Sequence, residues 1–215
     1  GTPRGPEDLP AVMERLFGYP AEAALWEEEI LPARFGAYRP AWLDGLLADS
    51  DLAWLGCGPR RVMFALLGEV ELFPGGEDAY AADAPAADAA LDELLERTLP
   101  PGPGRFGFEE LLTHAGRADS AGLVGELWDL AWAGLVTHTA MAALRQGIVS
   151  DFRAAAAPAP HAVEHTAPRT ASRATPGPPR FDRWRAARPF GGSWMRLPRP
   201  DPPEDALAEE EIRKD

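Results

Sequence analysis

Two groups of residues in this sequence have types and spacings that could do chemistry: a histidine–glutamate cluster and a set of arginines. His161, Glu164 and His165 match the pattern H-x-x-E-H. In zinc peptidases this spacing on a rigid helix points both histidines at one metal ion, and a third ligand completes the site. Here Pro158 and Pro168 flank the cluster in a stretch of low complexity, which disfavours such a helix. We therefore expect no metal site.

Several arginines stand where a phosphate-binding residue would be useful. Arg60 and Arg61 follow Gly58-Pro59, which signals a turn between two apolar runs, and Arg39 directly precedes a helix-like stretch. Arg145 ends a further helix-like segment. The planar guanidinium group matches the geometry of phosphate, so we interpret these four arginines as candidate nucleic-acid contacts. Ordinary solubilising surface charge is the alternative interpretation.

The block 180–199 mixes arginines with aromatic residues. Arg183, Trp184 and Arg185 lie in it, and Trp194 follows near its end. Bases stack on aromatic side chains while arginines neutralise phosphates, so this combination is typical of a groove that follows a single strand of nucleic acid. The alternative is an edge strand whose aromatic side chains pack on a further domain.

Charge is distributed unevenly along the 215 residues, whose formal net charge is −13. Residues 1–150 carry 10 arginines and 24 acidic residues, whereas residues 151–200 carry 9 arginines and 3 acidic residues. The acidic first part argues against a free-standing nonspecific duplex binder, which normally has a broad basic face. It leaves open a protein that handles nucleic acid through a local patch.

The composition also indicates a compartment. Cys57 is the only cysteine, which excludes an internal disulfide and is typical of a reducing environment. No apolar run reaches the roughly 18 residues that a membrane span needs, and residues 1–20 show no secretory signal. We expect a cytoplasmic protein without membrane contact.

Hydrophobic periodicity predicts a mainly α fold with small β hairpins, an α+β class built from two winged-helix units. Helices within 6–33 and over 39–48 precede a hairpin within 52–67, and in a winged helix the third helix faces the DNA groove. The order recurs with helices over 86–98, 108–116 and 120–133, then a short strand and a further helix.

Three details complete this prediction. Ser120 is the expected N-cap of the helix over 120–133, and Trp128 and Trp132 are expected in its packed core. Residues 154–180 are rich in alanine and proline and cannot build a hydrophobic core, so we expect them to form a flexible linker. The predicted parts are a first unit (1–80), a second unit (84–150), the disordered linker (154–180) and an Arg/aromatic segment with the truncated start of a further domain (181–215).

Several stretches of the chain form a recognisable set: WEEEILPAR (26–34), YRPAWLDGLL (38–47), LAWLGCG (52–58), ELWDLAWAGLVT (126–137) and GGSWMRL (191–197) with ALAEEEIRKD (206–215). Together they resemble the accessory region of the Lhr family, the large helicase-related superfamily 2 DNA helicases. In one departure, His138-Thr139 stand where the family usually has an Asn-Asp pair. The resemblance implies a tandem winged-helix region downstream of the helicase motor, which helps to grip and guide DNA.

The resemblance also sets the expected function. The chain has neither a GxxxxGK[ST] phosphate loop nor a DExH-like acidic box, so we expect no cofactor here; ATP and magnesium would bind the motor domains of the same polypeptide. We expect DNA as the partner, single-stranded or forked, in unwinding or repair. Homo-oligomerisation stays open.

Two rival functions remain. Some winged-helix proteins related to this region are DNA glycosylases, which need a carboxylate or amide to activate water and a pocket for a flipped base. Asp44 is one candidate, but no pair of carboxylates has a spacing that singles it out, and we assign no catalytic residue. The other rival is a protein-interaction or oligomerisation scaffold that makes no DNA contact.

Overall fold

The computed structural model describes residues 5–73, 84–117, 119–153 and 191–199, with side chains from residue 89 onward in the second of these ranges. The helices are α1 (Leu9–Glu14), α2 (Pro40–Asp49), α3 (Ala84–Thr98), α4 (Phe108–His114), α5 (Ser120–Trp132) and α6 (Met141–Val149). The strands are β1 (Ala21–Glu22), β2 (Leu52–Gly56), β3 (Arg61–Leu66), β4 (Arg105–Phe106), β5 (Val136–His138) and β6 (Trp194–Arg196).

The first unit places three helical segments before a β hairpin. A 3-10 turn leads into α1, a π-helical turn at Trp26–Ile30 forms the second segment, and α2 is the third. α2 begins at Pro40 after an extended Arg39, as expected of a proline in the first turn. β2 is buried at every position, and the antiparallel sheet has the order β1–β3–β2.

The second unit repeats this arrangement. α3, α4 and α5 pack beside a second three-stranded antiparallel sheet with the order β4–β6–β5. The N-cap of α5 is Asp119, whose carboxylate accepts hydrogen bonds from Ala121 N (2.9 Å) and Gly122 N (3.2 Å). The prediction of Ser120 as N-cap was therefore wrong by one residue, because the carboxylate at position 119 takes the free amide groups of the first turn.

Both units have a helix, a short strand, two further helical segments and two final strands, and both sheets place the last strand in the centre. This is winged-helix topology, and it confirms the α+β prediction. The two units differ in the wing, the connection between the last two strands. In the first unit residues 57–60 suffice, whereas in the second unit residues 139–193 separate β5 from β6.

The long second wing changes the predicted organisation of the chain. Trp194–Arg196 was expected in a separate segment (181–215), but β6 pairs with both β4 and β5 in the second sheet. The physical reason is burial: Trp194 is fully buried, with its ring 5.5 Å from Trp128 and 5.0 Å from His138. Residues 154–190 therefore connect α6 to a strand of the same unit; the predicted disordered linker lies outside the described residues.

The two units share one hydrophobic core. Trp54 of β2 stacks on Trp128 of α5 with ring centroids 6.2 Å apart, and Thr137 Oγ1 donates a 2.6 Å hydrogen bond to Trp54 O. Gly58 N donates to Trp132 O at 3.0 Å. Trp128 is buried, as predicted, whereas Trp132 is only half-buried. The units are thus packed against each other through β2, α5 and β5.

Candidate nucleic-acid interface

The third helical segments of the two units carry acidic residues and no lysine or arginine. α2 contains Asp44 and Asp49, and α5 contains Glu126 and Asp129. Partial burial, together with the neighbouring Glu126, raises the pKa of Asp129. A third helix that enters a DNA groove lies between two rows of phosphates, which attract cations and repel carboxylates. Neither helix has the charge expected of a groove-reading helix.

Arg39 is the cation nearest the start of α2. Its extended backbone precedes the helix, and its C=O accepts a 2.9 Å hydrogen bond from Trp42 N. The residue is exposed, and within the described part of the chain its side chain makes no ion pair or hydrogen bond. Arg39 is therefore placed where it could contact a phosphate beside the helix start.

Arg60 and Arg61 lie at the turn of the first wing, where the sequence placed them. Arg60 Nη2 is 2.5 Å from Asp151 Oδ1, and its guanidinium carbon lies 5.7 Å from the centroid of the Phe152 ring. The side chains of Arg60 and Asp151 are 55% and 49% exposed. Arg61 is half-buried, and its backbone amide donates to Gly58 O across the turn. The first wing thus touches residues that follow α6.

Arg145, a predicted nucleic-acid contact, is engaged by carboxylates of the first unit. Its Nε and Nη2 donate to the two carboxylate oxygens of Glu27 at 2.5 and 2.9 Å, and its Nη1 donates to Asp44 at 3.0 Å. The hydrogen bonds to Glu27 raise the pKa of Arg145. Tyr38 Oη also donates to Glu27, at 2.7 Å. All donors of Arg145 that reach a partner therefore join the second unit to the first.

The remaining predicted residues lie outside the described residues. Arg183, Trp184 and Arg185 belong to 154–190, as do His161, Glu164 and His165. Within the described ranges, no group of three His, Cys, Asp or Glu side chains could hold a metal ion. In those ranges no helix has both the length and the apolar character to cross a membrane.

Sequence reasoning missed two sets of functional candidates. Asp151 and Phe152 were not singled out, although both meet Arg60 of the first wing. Arg196 was missed as an anchor of β6: it pairs with Glu96 at 2.5 Å, lowers the pKa of that carboxyl through the hydrogen bond, and donates to Leu99 O. Both sets join segments far apart in the chain, so no local spacing could reveal them.

His138 and Thr139, which stand where the family usually has an Asn-Asp pair, make hydrogen bonds at the edge of the second sheet. Thr139 Oγ1 accepts a 3.0 Å hydrogen bond from Ser193 N, and Thr139 N donates to Ser193 O at 2.9 Å. His138 is buried, accepts from Ala140 N at 3.1 Å, and burial lowers its pKa to about 4. These contacts fix the two ends of the long wing next to each other.

The topology and the shared core define a tandem winged-helix protein. Residues 1–74 match the family described as "Large helicase-related protein, winged-helix domain". The chain is 30% identical over 213 residues to the "Lhr helicase/ probable uracil glycosylase" of Mycolicibacterium smegmatis, covering 92% of this chain and 13% of that protein. It is 31% identical over 153 residues to the "Lhr helicase/uracil glycosylase" of Escherichia coli, covering 67% of this chain and 10% of that protein.

The chain therefore belongs to the Lhr family of large helicase-related proteins, and its first unit is a winged-helix domain of that family. It spans only about an eighth or less of the length of these two curated relatives.

Proposed function

We propose that this chain is a non-motor, DNA-engaging region of an Lhr-type helicase that acts in DNA unwinding or repair. The observation that carries the proposal is the excess of arginine between α6 and β6. Residues 154–190 contain six arginines and two acidic residues, and they connect α6 to β6, within the wing of the second unit. Wings contact nucleic acid in many winged-helix proteins, and arginine is suited to phosphate.

The role is positional. The shared core and the contacts of Arg145 hold the two units in one arrangement, so cations on one unit have a fixed position relative to those on the other. Arg39, Arg60 and Arg61 supply phosphate contacts on the first unit. Arg183, Trp184 and Arg185 supply phosphate contacts and base stacking from the second wing. We leave Arg145 out of this set because its guanidinium is occupied by Glu27 and Asp44.

The partners follow from the family and from the charge. We propose single-stranded or forked DNA, because an Arg/aromatic segment favours unstacked bases over a duplex. The motor domains of the same polypeptide would bind ATP and magnesium and move the strand. A cytoplasmic location remains a proposal that rests on the absence of a second cysteine. Homo-oligomerisation is not part of the proposal.

The rival functions have weaker support. Uracil glycosylase stands in the names of both relatives, but this chain spans a small part of each. Asp44, the carboxylate considered for such chemistry, lies 2.9 Å from Arg145 and takes part in the contact between the units. A scaffold without DNA contact would agree with the acidic residues of the third helices. It would not explain the excess of arginine in the second wing.

Fluorescence anisotropy with labelled single-stranded, duplex and forked DNA over a salt series tests the proposal. We expect binding that weakens steeply with salt and prefers the single-stranded and forked substrates. The double variant Arg183→Ala/Arg185→Ala should lower both the affinity and the salt slope, whereas Arg199→Ala, which removes an arginine paired with Asp92, should not. A folded protein that binds none of these substrates at low salt would refute the proposal.

A further inference from the structure

One surface combines arginines with aromatic rings where the two units meet. Arg60 comes from the first wing, Trp132 from the end of α5, and Asp151, Phe152 and Arg153 follow α6. The Phe152 ring makes edge contacts with Trp132 at 4.8 Å and Trp128 at 4.9 Å. We call Arg60, Trp132, Asp151, Phe152 and Arg153 the Arg60–Phe152 cluster.

The guanidinium of Arg60 lies over the ring of Phe152, with its central carbon 5.7 Å from the ring centroid. Asp151 forms an ion pair with it at 2.5 Å. Arg60 is 55% exposed, so part of its surface faces solvent. A planar guanidinium fixed in this way offers a stacking surface for a nucleobase and N–H donors for a phosphate.

Three residues of the cluster have a left-handed backbone conformation, which is unfavourable for residues other than glycine. Arg60, Asp151 and Phe152 are the non-glycine residues with positive φ in the described part of the chain, at 60°, 55° and 57°. Glycine is the usual residue at such positions, above all just after a helix, because a Cβ atom is strained there. The chain instead has a phenylalanine and an arginine, and strain of this kind is concentrated at binding sites.

The local charge is positive despite Asp151. This carboxylate is shared between Arg60 and Arg153, whose Nε lies 3.5 Å from it, and Arg153 is 82% exposed. Two arginines on one carboxylate leave an excess positive charge. From Arg153 the chain continues directly into the arginine-rich residues 154–190. An anionic strand held by those residues would begin its path at this cluster.

We infer that the Arg60–Phe152 cluster is a base-stacking site for single-stranded DNA. A base stacks on the Arg60 guanidinium and the exposed part of Trp132, while Arg153 neutralises the adjoining phosphate. The inference rests on the proposed function and adds to it the position at which the strand meets the rigid part of the molecule.

Oligonucleotides with and without bases test this inference on the whole chain. The wild-type protein should bind a single strand at least about fivefold more tightly than an abasic strand of equal length, because stacking contributes to every contacted base. Phe152→Leu retains an apolar side chain against Trp128 and Trp132 but lacks the flat ring. It should lower that ratio severalfold and leave the salt slope unchanged, because no charge is removed.

Three further variants keep the test decisive. Arg60→Lys retains the charge without the planar group and should also lower the ratio, and its exposed position makes folding insensitive to it. Phe17→Leu, at a half-buried phenylalanine of the first unit, and Arg97→Lys, at a half-exposed arginine paired with Glu126, are the matched controls and should behave as wild type. The inference is wrong if Arg60→Lys and folded Phe152→Leu retain the wild-type ratio. If the wild-type protein binds no strand, the proposed function fails first and this site with it.

Discussion

At the scale of single residues, Arg145 determines how the two units are held together. Its guanidinium bridges Glu27 of the π-helical turn and Asp44 of α2, and Nη2 also donates to Pro40 O at 3.2 Å. The Glu27 side chain is only 13% exposed, so this carboxylate depends on Arg145 and Tyr38 for the hydrogen bonds that water would otherwise give. An arginine in such a position contributes to the stability of the contact between the two units.

Replacing Arg145 by alanine should lower the free energy of unfolding by about 2 kcal/mol, because a largely buried carboxylate loses its bidentate partner. Arg199→Ala is the matched control: its ion pair with Asp92 has side chains 43% and 51% exposed, and the change should cost about 0.5 kcal/mol or less. Urea unfolding of both variants measures the difference. Equal losses in the two variants would contradict the role given to Arg145.

His138 makes stability depend on pH in a defined direction. Burial lowers its pKa to about 4 in the folded protein, whereas an unfolded chain has a histidine pKa of about 6.5. The unfolded state therefore binds more protons between these values, so stability is complete above about pH 6.5 and is lost as the pH falls towards 4. This one residue should account for a loss of up to about 3 kcal/mol over that range.

The measurement is the free energy of unfolding at several pH values between 4 and 7.5. His138→Asn should flatten the profile, whereas His114→Gln, at an exposed position, should leave it as in the wild type. A His138→Asn profile as steep as that of the wild type would show that other groups cause the pH dependence.

At the scale of elements, the approach of β2 to α5 fixes the contact between the units. A Cβ atom at Gly56 would lie 1.8 Å from Ala131 O and 2.6 Å from Ala131 C. Both contacts involve backbone, which cannot rotate away as a side chain could. A glycine at the end of β2 is therefore required for the helix to pack this closely.

Gly56→Ala should destabilise the protein by roughly 2 kcal/mol or more, because the strand and α5 must move apart and open the shared core. The matched control is Gly45→Ala in α2, where a Cβ atom meets nothing within 4 Å; this change should stabilise by roughly 0.5–1 kcal/mol. Thermal unfolding of the two variants should thus show shifts of opposite sign. A Gly56→Ala protein as stable as the wild type would contradict the close packing.

Local patterns in the sequence predicted most of the elements. The proline at position 40, the turn at Gly58-Pro59 and the apolar stripe of α5 each act over a few residues, and α2, the first hairpin and α5 were found near their predicted bounds. The helix α6 after β5 was also expected. Such signals depend on periodicity and turn chemistry, which a single sequence contains.

The strand β6 could not be predicted in the same way. It pairs with β5 across 55 intervening residues, and its three residues have no alternation long enough to indicate a strand. In the candidate site, too, local features could be predicted from the sequence and long-range contacts could not. Arg60 was placed at the first wing from its turn, whereas its contacts with Asp151 and Phe152 and the bridging role of Arg145 depend on long-range packing.

At the scale of the whole molecule, arginines fall into two groups: those paired with carboxylates in the rigid part, and those in the arginine-rich residues 154–190. Many of the described arginines form ion pairs with carboxylates, and several of these pairs join distant elements. Among these arginines are Arg60, Arg97, Arg117, Arg145, Arg153, Arg196 and Arg199. The six arginines within 154–190 have only two acidic residues beside them in sequence. We therefore assign positioning to the rigid part of the molecule and the strongest attraction for DNA to the second wing.

Replacing residues 154–190 by a Gly/Ser linker of about 12 residues tests whether the second wing supplies most of the attraction for DNA. Such a linker can reach roughly 40 Å, and it keeps α6 and β6. Anisotropy with a labelled single strand at low salt, and urea unfolding, are measured on the parent and the shortened protein. We expect the shortened protein to have an affinity at least about tenfold lower and a free energy of unfolding within about 1 kcal/mol of the parent. A folded, shortened protein that binds the strand as tightly as the parent would contradict the DNA-binding role of the second wing.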